Sequence, residues 1–151
     1  MAHFEVQIDT RRSPGDAWDR VLDLRLHDLL IPFTRITSGK VPAAELGSGS
    51  AFVARTGLGP LGFDDPMVVE ELVRPSGGSA GLARIRKHGK VIRGSIELRI
   101  TPQPGGSRVK WNQEITVWGV PRALGWMTAR VSRAAYGMAL RRLLAHDPAP
   151  V

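Results

Sequence analysis

The chain has 151 residues, a net charge of +7 and no cysteine. This length is typical of one domain, which buries about 70% of its unfolded surface and folds without disulfides or structural metals. The lack of cysteine excludes thiol nucleophiles, thiolate metal sites and a disulfide scaffold. No secretory signal follows Met1, and no apolar run approaches the roughly 20 residues of a membrane span. We therefore expect a single domain over residues 1–151, cytoplasmic and without stable membrane insertion.

The positive charge comes mainly from arginine, which supplies 17 of the 21 basic residues. Such a composition indicates either a solvated basic surface or an anionic partner, namely nucleic acid, an acidic membrane surface or an acidic carrier protein. The densest cluster lies within residues 84–93 and contains no aromatic residue. An RNA-binding platform requires aromatic residues among its basic ones. We expect no DNA partner and leave an anionic partner open; the oligomeric state is not predicted.

The first third of the chain predicts one strand and two short helices. His3–Asp9 alternates apolar and polar residues, which is typical of a half-buried strand. In Ser13–Asp16 a serine N-cap precedes a proline at the first helical position, and Asp16 can complete a capping box. A second short turn, Leu26–Leu30, ends before Pro32, because the residue preceding a proline avoids helical geometry.

The middle of the chain predicts six further strands separated by glycine and proline turns. Neighbouring strands are joined by short turns, so the sheet is expected to be antiparallel. In the last two strands the apolar residues share one face, and Gln113 lies on that face between Trp111 and Ile115. The predicted strands are Thr34–Val41, Ala51–Thr56, Met67–Arg74, Leu82–Lys87, Val91–Thr101 and Ser107–Trp118.

Gly119 and Pro121 end the last strand, and about 25 residues of helical pattern follow, up to Pro148. Apolar residues recur there at steps of three and four, which predicts one apolar stripe facing the sheet. Arg130 adjoins this stripe. The stripe comprises Leu124, Met127, Val131, Ala134, Ala135 and Met138.

These elements predict an α+β fold in which a curved antiparallel sheet of about seven strands wraps around a long C-terminal helix. A strongly bent sheet does not close fully on one helix, and the gap forms an apolar pocket. We therefore expect a hydrophobic small-molecule ligand; the alternative is that the stripe and the inward strand faces form an ordinary filled core. The predicted ligand-binding residues are Phe52, Ile96, Leu98, Trp111, Gln113, Ile115, Met127, Arg130, Val131, Ala134 and Met138.

The order of elements resembles the START-like or SRPBCC superfamily, the helix-grip fold of lipid-transfer START domains, the birch pollen allergen and bacterial polyketide cyclase/dehydrase-like proteins. The resemblance covers nearly the whole chain. It is carried by the Ser13–Trp18 helix start, the Leu29–Pro32 stop, Val109–Trp111 in the last strand and the helix after Pro121. It implies a cavity that binds a lipid, an isoprenoid or quinone, or a polyketide-like molecule.

Two motifs associated with cofactors and metals are weak here. Gly57–Gly62 matches the dinucleotide pattern GxGxxG, but a strand pattern follows it where that site requires a helix. A flexible hairpin loop is the favoured interpretation. The four histidines are far apart in sequence and show no ligand spacing, so we expect neither a metal site nor a cofactor.

An enzyme in the same cavity, a polyketide cyclase or dehydratase, is the first alternative function. Its acid–base candidates are His27, Asp64 and Arg130, and no catalytic residue can be assigned. Asp64 and Asp65 are adjacent in an extended segment and point to opposite faces, so they do not form a working pair. Gln113 or Arg130 could bind a polar group of the ligand. A ribosome-, RNA- or protein-interaction module that uses the basic surface is the second alternative.

Overall fold

The computed structural model describes residues 2–58 and 60–145, and it confirms the predicted α+β architecture. Seven antiparallel strands form one sheet in the order β1-β7-β6-β5-β4-β3-β2. The strands are Ala2–Thr10 (β1), Thr34–Ser38 (β2), Ala51–Leu58 (β3), Leu61–Val73 (β4), Gly81–His88 (β5), Ile92–Gln103 (β6) and Gly106–Val117 (β7). The helices are Pro14–Val21 (α1), Leu24–Leu30 (α2) and Gly125–Ala145 (α3), and a 3₁₀ turn over Arg122–Leu124 precedes α3.

The start of α1 forms as its sequence predicts, with one difference. The Ser13 hydroxyl accepts a hydrogen bond from the Asp16 backbone N–H at 3.2 Å, and Pro14 opens the helix. The Asp16 carboxylate binds Arg12 at 2.9 Å and Arg20 at 3.2 Å, so it serves two ion pairs and does not complete a capping box. At the end of α2, Ile31 is extended, as expected for the residue before Pro32.

The segment predicted as a glycine loop is a tight β3–β4 hairpin. Gly57 pairs with Gly62, and a Cβ on Gly57 would lie 2.2 Å from the Leu61 carbonyl oxygen. Glycine is therefore required there because the two backbones approach too closely for a side chain. A strand follows the motif, which is not the strand–turn–helix of a dinucleotide site. Pro66 has no backbone N–H to donate to a neighbouring strand. β4 nevertheless continues through it, because the pairing of β4 with β5 begins only at Met67.

The prediction for the inward face of α3 is wrong. The fully buried residues of α3 lie on the opposite face, and the predicted stripe points outward. We call Leu124, Met127, Val131 and Met138 the outer α3 face; they are 38%, 42%, 64% and 46% exposed, and Ala134 and Ala135 are exposed beside them. The reason is that α3 has two apolar faces about half a turn apart. The face that packs against β1 and α1 is the one bearing Leu140, Leu143 and Leu144.

Exposed apolar side chains gather at one end of the sheet. The β3–β4 hairpin, the start of β2, the β5–β6 turn and the end of β7 meet there, as shown by hydrogen bonds from Gly57 N to Phe33 O and from Trp118 N to Val91 O. We call this set the rim; it comprises Leu29, Phe33, Leu61, Trp118, Val120 and Trp126. Trp18 and Trp111 are buried in the core, whereas Trp126 is 61% exposed.

Candidate functional site

A cluster of polar side chains lies on the otherwise apolar inner face of the sheet. Asp65 comes from β4, Lys87 from β5, Trp111 and Gln113 from β7, and Tyr136 reaches the cluster from α3. Asp65, Lys87 and Gln113 are 5%, 3% and 1% exposed, respectively. A buried polar group without a partner costs about 1–3 kcal/mol, so the arrangement of partners in this cluster is informative.

Lys87 is the centre of the cluster. Its ammonium donates to Asp65 Oδ2 at 2.5 Å and to the Tyr136 hydroxyl oxygen at 3.2 Å. Burial by itself disfavours the charged ammonium, but the negative charge of Asp65 and the contacts with Tyr136 outweigh this effect. The pKa of Lys87 is therefore raised above its ordinary value, and the ammonium remains charged in the interior.

The hydrogen bonds of Gln113 determine which groups of the cluster remain available. The Trp111 indole N–H can only donate, and it donates to Gln113 Oε1 at 2.9 Å. This bond directs the amide NH₂ of Gln113 toward the Tyr136 oxygen, 3.4 Å away. The Tyr136 oxygen thus accepts from both Gln113 and Lys87, and its own proton is left to donate elsewhere.

Asp65 supplies the complementary group. Oδ2 accepts from Lys87, whereas Oδ1 is buried and has no hydrogen-bond partner within the part of the chain that the structure describes. Among its unused groups, the cluster therefore offers the Tyr136 hydroxyl as a donor and Asp65 Oδ1 as an acceptor. A ligand hydroxyl, which both donates and accepts, is the simplest group that satisfies both.

The cluster lies near the rim. Lys87 is the penultimate residue of β5, and Asp65 is the fifth residue of β4, which begins at the rim. The part of α3 nearest this end is less buried than the rest, since all fully buried residues of α3 lie between Gly137 and Leu144. The first half of α3 touches the core only through partly buried residues such as Ala129.

The structure divides the predicted ligand-binding residues into two groups. Those from the strands are 0–5% exposed and belong to the main core, around and beneath the polar cluster: Phe52, Ile96, Leu98, Trp111, Gln113 and Ile115. Those from α3 lie outside the interior, on the exposed side of the helix: Met127, Arg130, Val131, Ala134 and Met138.

A groove of about 330 Å³ runs between α3 and β1. Three arginines line it, Arg130, Arg133 and Arg141, together with Ala134. Arg133 donates to the Glu5 carbonyl oxygen at 3.2 Å. The groove is therefore a cationic site on the outside of the molecule, separate from the inner polar cluster.

Of the three acid–base candidates, His27 is half-buried, whereas Asp64 and Arg130 are exposed. The Nε2 of His27 lies 2.7 Å from the Val21 carbonyl oxygen, which requires a proton on that nitrogen. Burial lowers the pKa of His27, so the ring is neutral at pH 7. Asp64 is exposed and bound to Arg55 at 3.1 Å, while Asp65 points inward; the two carboxylates face opposite sides, as predicted.

Three residues of the cluster, Asp65, Lys87 and Tyr136, were not among the predicted site residues. Two of them could be recognised as inward-facing from the alternation of side chains along a strand. Lys87 follows Ala83 and Ile85 at steps of two, and Asp65 precedes Met67 and Val69 in the same way. Tyr136 carried no such signal, because its position depends on which face of α3 packs inward.

The basic residues between 84 and 93 do not form one patch. Lys87 points inward, whereas Arg84 and Arg86 lie on the outer face of the sheet. There Arg86 pairs with Glu70, and Arg84 lies 3.5 Å from Glu71 and 3.6 Å from Glu97. The positive charges of Arg84 and Arg86 on the outer face of the sheet are therefore balanced by neighbouring glutamates.

Neither a metal cluster nor a membrane-spanning helix is found in residues 2–58 and 60–145. No group of three or more histidine or acidic side chains there could hold a metal ion. None of the helices in those ranges is both long and apolar enough to cross a membrane.

Solved structures with similar folds cover nearly the whole chain at low sequence identity. The di-domain ARO/CYC protein StfQ of the steffimycin biosynthetic pathway matches with a TM-score of 0.70 and 15% identity, covering 95% of this chain and 49% of its own. Ara h 8.0201 matches with a TM-score of 0.63 and 14% identity, covering 95% and 98%. CV1439 from Chromobacterium violaceum matches with a TM-score of 0.65 and 14% identity, covering 96% of both chains. The chain thus spans about half the length of StfQ.

No curated protein matches the sequence. The family described as polyketide cyclase/dehydrase and lipid transport, in contrast, matches over residues 1–146. The match agrees with the seven-stranded sheet, the two short helices after β1 and the long C-terminal helix. The chain belongs to this polyketide cyclase/dehydrase and lipid transport family, which has the SRPBCC-type helix-grip fold.

Proposed function

We propose that the protein binds an apolar small molecule bearing a hydroxyl group, between the inner face of the sheet and the first half of α3. The observation that carries this proposal is the buried Asp65 Oδ1, which has no partner among the described residues. The surrounding apolar side chains supply the main affinity, at roughly 25 cal/mol per Å² removed from water. The polar cluster supplies orientation.

The available groups of the cluster discriminate between ligand classes. A polyketide-like phenol, an enol, a hydroquinone or a sterol can donate to Asp65 Oδ1 and accept from Tyr136. A quinone has only acceptors and leaves Asp65 unpaired. A fatty-acid carboxylate places a second negative charge next to the Asp65 carboxylate, and their repulsion weakens binding. The proposal therefore favours hydroxylated ring systems over free fatty acids.

The ligand enters from the rim. The strand residues around the cluster are closely packed, so binding requires some part of the wall to move. The first half of α3 has no fully buried residue, so its displacement disturbs only partly buried residues. Its second half remains anchored by Leu140, Leu143 and Leu144.

Native mass spectrometry of freshly purified protein, followed by organic extraction, is the first test. We expect a co-purified hydroxylated apolar molecule. Calorimetric titration with 2-naphthol and 2-methoxynaphthalene then isolates the hydrogen bond, because the two ring systems are the same and only the first can donate. We expect 2-naphthol to bind about tenfold or more tightly, as one buried unpaired group costs about 1–3 kcal/mol. No bound molecule and no binding of either probe would overturn the proposal.

The variant Asp65→Leu/Lys87→Met is the matched control. It removes both charges together, which leaves no uncompensated ion in the interior. We expect the variant to bind the two probes equally, with the affinity for 2-methoxynaphthalene unchanged from wild type. A tenfold preference for 2-naphthol that persists in this variant would show that the ligand hydroxyl does not contact the cluster.

A second candidate function is acid–base catalysis on a polyketide-like substrate, as in a cyclase or dehydratase. It is favoured by the Tyr136 hydroxyl, which has a free proton and lies 3.2 Å from a buried ammonium that stabilises developing negative charge. StfQ, an ARO/CYC protein, has a similar fold. Tyr136→Phe should abolish turnover of a reactive poly-β-ketone while it keeps ligand affinity within a few fold. Unchanged turnover in this variant would exclude the catalytic role of Tyr136.

A further inference from the structure

The outer α3 face is an apolar stripe without a partner inside the molecule. Met127 and Val131, one helical turn apart, are 42% and 64% exposed, and Leu124 and Met138 extend the stripe in both directions. An ordinary surface helix of a globular protein buries its apolar stripe and exposes a polar face. Here the helix buries one apolar face and exposes a second, which points to a partner for the second.

The charges around the stripe indicate the chemistry of that partner. From Ile115 to Ala145 the chain has five arginines and no acidic residue. None of the five pairs with a carboxylate in the described ranges. This contrasts with the outer face of the sheet, where Arg84 and Arg86 are paired with glutamates. An apolar stripe flanked by uncompensated arginines complements a partner that has anionic groups at its surface and an apolar layer beneath them.

The groove beside α3 adds a place for an anionic group. Arg130, Arg133 and Arg141 line its 330 Å³, next to Ala134 and Gly137. Guanidinium groups bind phosphate oxygens with paired hydrogen bonds, and they are only weakly hydrated. Three such groups in one concave site match the phosphate of a lipid headgroup.

Two tryptophans lie where the start of α3 meets the rim. Trp118 is 78% exposed and Trp126 is 61% exposed. Tryptophan is enriched at membrane–water interfaces, because its large ring is apolar and its N–H group is polar. Val120 and Leu124 lie close to them in the chain and are also exposed, so exposed apolar residues recur from the β7–α3 loop into the helix.

Self-association is disfavoured by the same charges. Two copies that paired through the outer α3 face would bring the arginines of one α3 close to those of the other, with no acidic residue on either helix to compensate. Such like-charge contacts cost several kcal/mol across an interface. An RNA partner would account for the arginines but not for the valine and methionines of the stripe.

We propose that the outer α3 face, Trp118, Trp126 and the three-arginine groove dock the protein reversibly on an anionic lipid surface. The helix lies in the plane of the surface, its apolar stripe enters the boundary between headgroups and acyl chains, and the groove receives a headgroup phosphate. Docking places the rim against the lipid. This inference does not depend on which ligand, if any, the inner cluster binds.

Vesicle flotation tests the proposal with two compositions: phosphatidylcholine alone, and phosphatidylcholine with about 30% phosphatidylglycerol. We expect wild type to float with the anionic vesicles, to remain unbound with the neutral ones, and to be released at about 0.5 M salt. Val131→Glu combined with Met127→Glu should reduce partitioning more than about tenfold, because buried apolar area is lost and negative charge is added. Arg130→Gln should reduce partitioning about fivefold, the contribution of one arginine near an anionic surface.

The controls change equivalent residues away from the proposed surface. Val73→Glu introduces a charge at an apolar residue that is 49% exposed at the opposite end of β4. Arg11→Gln removes an exposed positive charge between β1 and α1, beside the β6–β7 turn at the end of the sheet opposite the rim. We expect both to float like wild type. Since all substituted side chains lie on the surface or at its edge, circular dichroism should show unchanged folding.

Five results would overturn the proposal. The first two are that wild type does not bind anionic vesicles, and that it binds neutral ones equally well. The third is equal flotation of the Met127/Val131 double variant and wild type. A wild-type dimer that the double variant converts to a monomer, without vesicle binding, would identify the outer α3 face as a self-interface. Salt-sensitive binding to single-stranded RNA without vesicle binding would identify a nucleic-acid surface.

Discussion

Lys87 and Asp65 form an ion pair in the interior, and such a pair is costly because both charges leave water. Their attraction offsets this desolvation only when the remaining hydrogen-bonding groups also find partners. Lys87 has a second partner in Tyr136, whereas Asp65 Oδ1 has none within the described residues. At the scale of single residues, the pair is therefore better explained by a role in recognition than by a contribution to stability.

Stability measurements on two variants test this view of the pair. Lys87→Met leaves the Asp65 charge buried without its cation, and we expect the free energy of unfolding to fall by about 3–5 kcal/mol. Asp65→Leu/Lys87→Met removes both charges and should restore stability to within about 1 kcal/mol of wild type or exceed it. Urea unfolding at neutral pH measures both. A double variant that is less stable than Lys87→Met would contradict the prediction.

His27 predicts a pH dependence of stability. Burial lowers its pKa in the folded protein below the ordinary value of 6.5. Below pH 6.5 the unfolded chain therefore takes up a proton that folded His27 does not, and the free energy of unfolding falls as the pH falls. The contribution is fully present above pH 6.5.

The variant His27→Gln isolates this effect, because glutamine can still donate to the Val21 carbonyl oxygen but does not titrate in this range. Between about pH 7.5 and about pH 5.5, the melting temperature should decrease more for wild type than for the variant. Equal decreases for the two proteins would show that His27 does not contribute to the acid sensitivity.

At the scale of elements, α3 is one continuous helix with two different halves. Its fully buried residues lie between Gly137 and Leu144, and its first half presents the outer α3 face and borders the rim. The C-terminal half therefore anchors the helix to β1 and α1, and the N-terminal half is free to serve binding at the rim.

Hydrogen exchange measures the two halves directly. We expect the amides of residues 126–134 to exchange faster than those of residues 138–144, since local opening requires less apolar surface to be exposed in the first half. Addition of 2-naphthol should slow exchange in the first half if the ligand lies beneath it. Uniform protection along α3 in the free protein would contradict the division into halves.

At the scale of the whole molecule, one sheet connects every part of the structure. β1, the first strand, lies at one edge of the sheet and pairs with β7, the last strand, so the first and last thirds of the chain are held together by one strand pair. α3 packs on β1 and contacts both α1 and α2. Within residues 2–58 and 60–145, this connectivity shows no boundary between separate domains.

We therefore predict that the chain unfolds in one cooperative transition, as a single domain over its whole length. Far-UV circular dichroism reports the sheet, and tryptophan fluorescence reports the environment of Trp18 and Trp111 in the core. Thermal transitions followed by the two signals should coincide. Separate midpoints would show that the sheet and the core melt as different units.

Much of the fold can be predicted from the sequence, because its signals are local. Alternation along β1, β6 and β7 is enough to identify which side of each strand is buried, and it placed Gln113 inside. Ser13 and Pro14 mark the start of α1, and Pro32 marks the end of α2, through backbone chemistry that involves only neighbouring residues. The order of these elements was sufficient to recognise the family.

Only the tertiary structure decided which face of α3 packs inward and which polar groups meet. A helix with two apolar faces has no local signal that chooses between them; the choice depends on the shape of β1 and α1, against which Leu140 and Leu143 pack. Asp65 and Lys87 lie on the neighbouring strands β4 and β5, and Tyr136 lies on α3, 49 residues beyond Lys87 in the chain. The sequence by itself determined the strands, the helices and the family, because periodicity and capping are local, whereas the candidate site depended on contacts between distant segments.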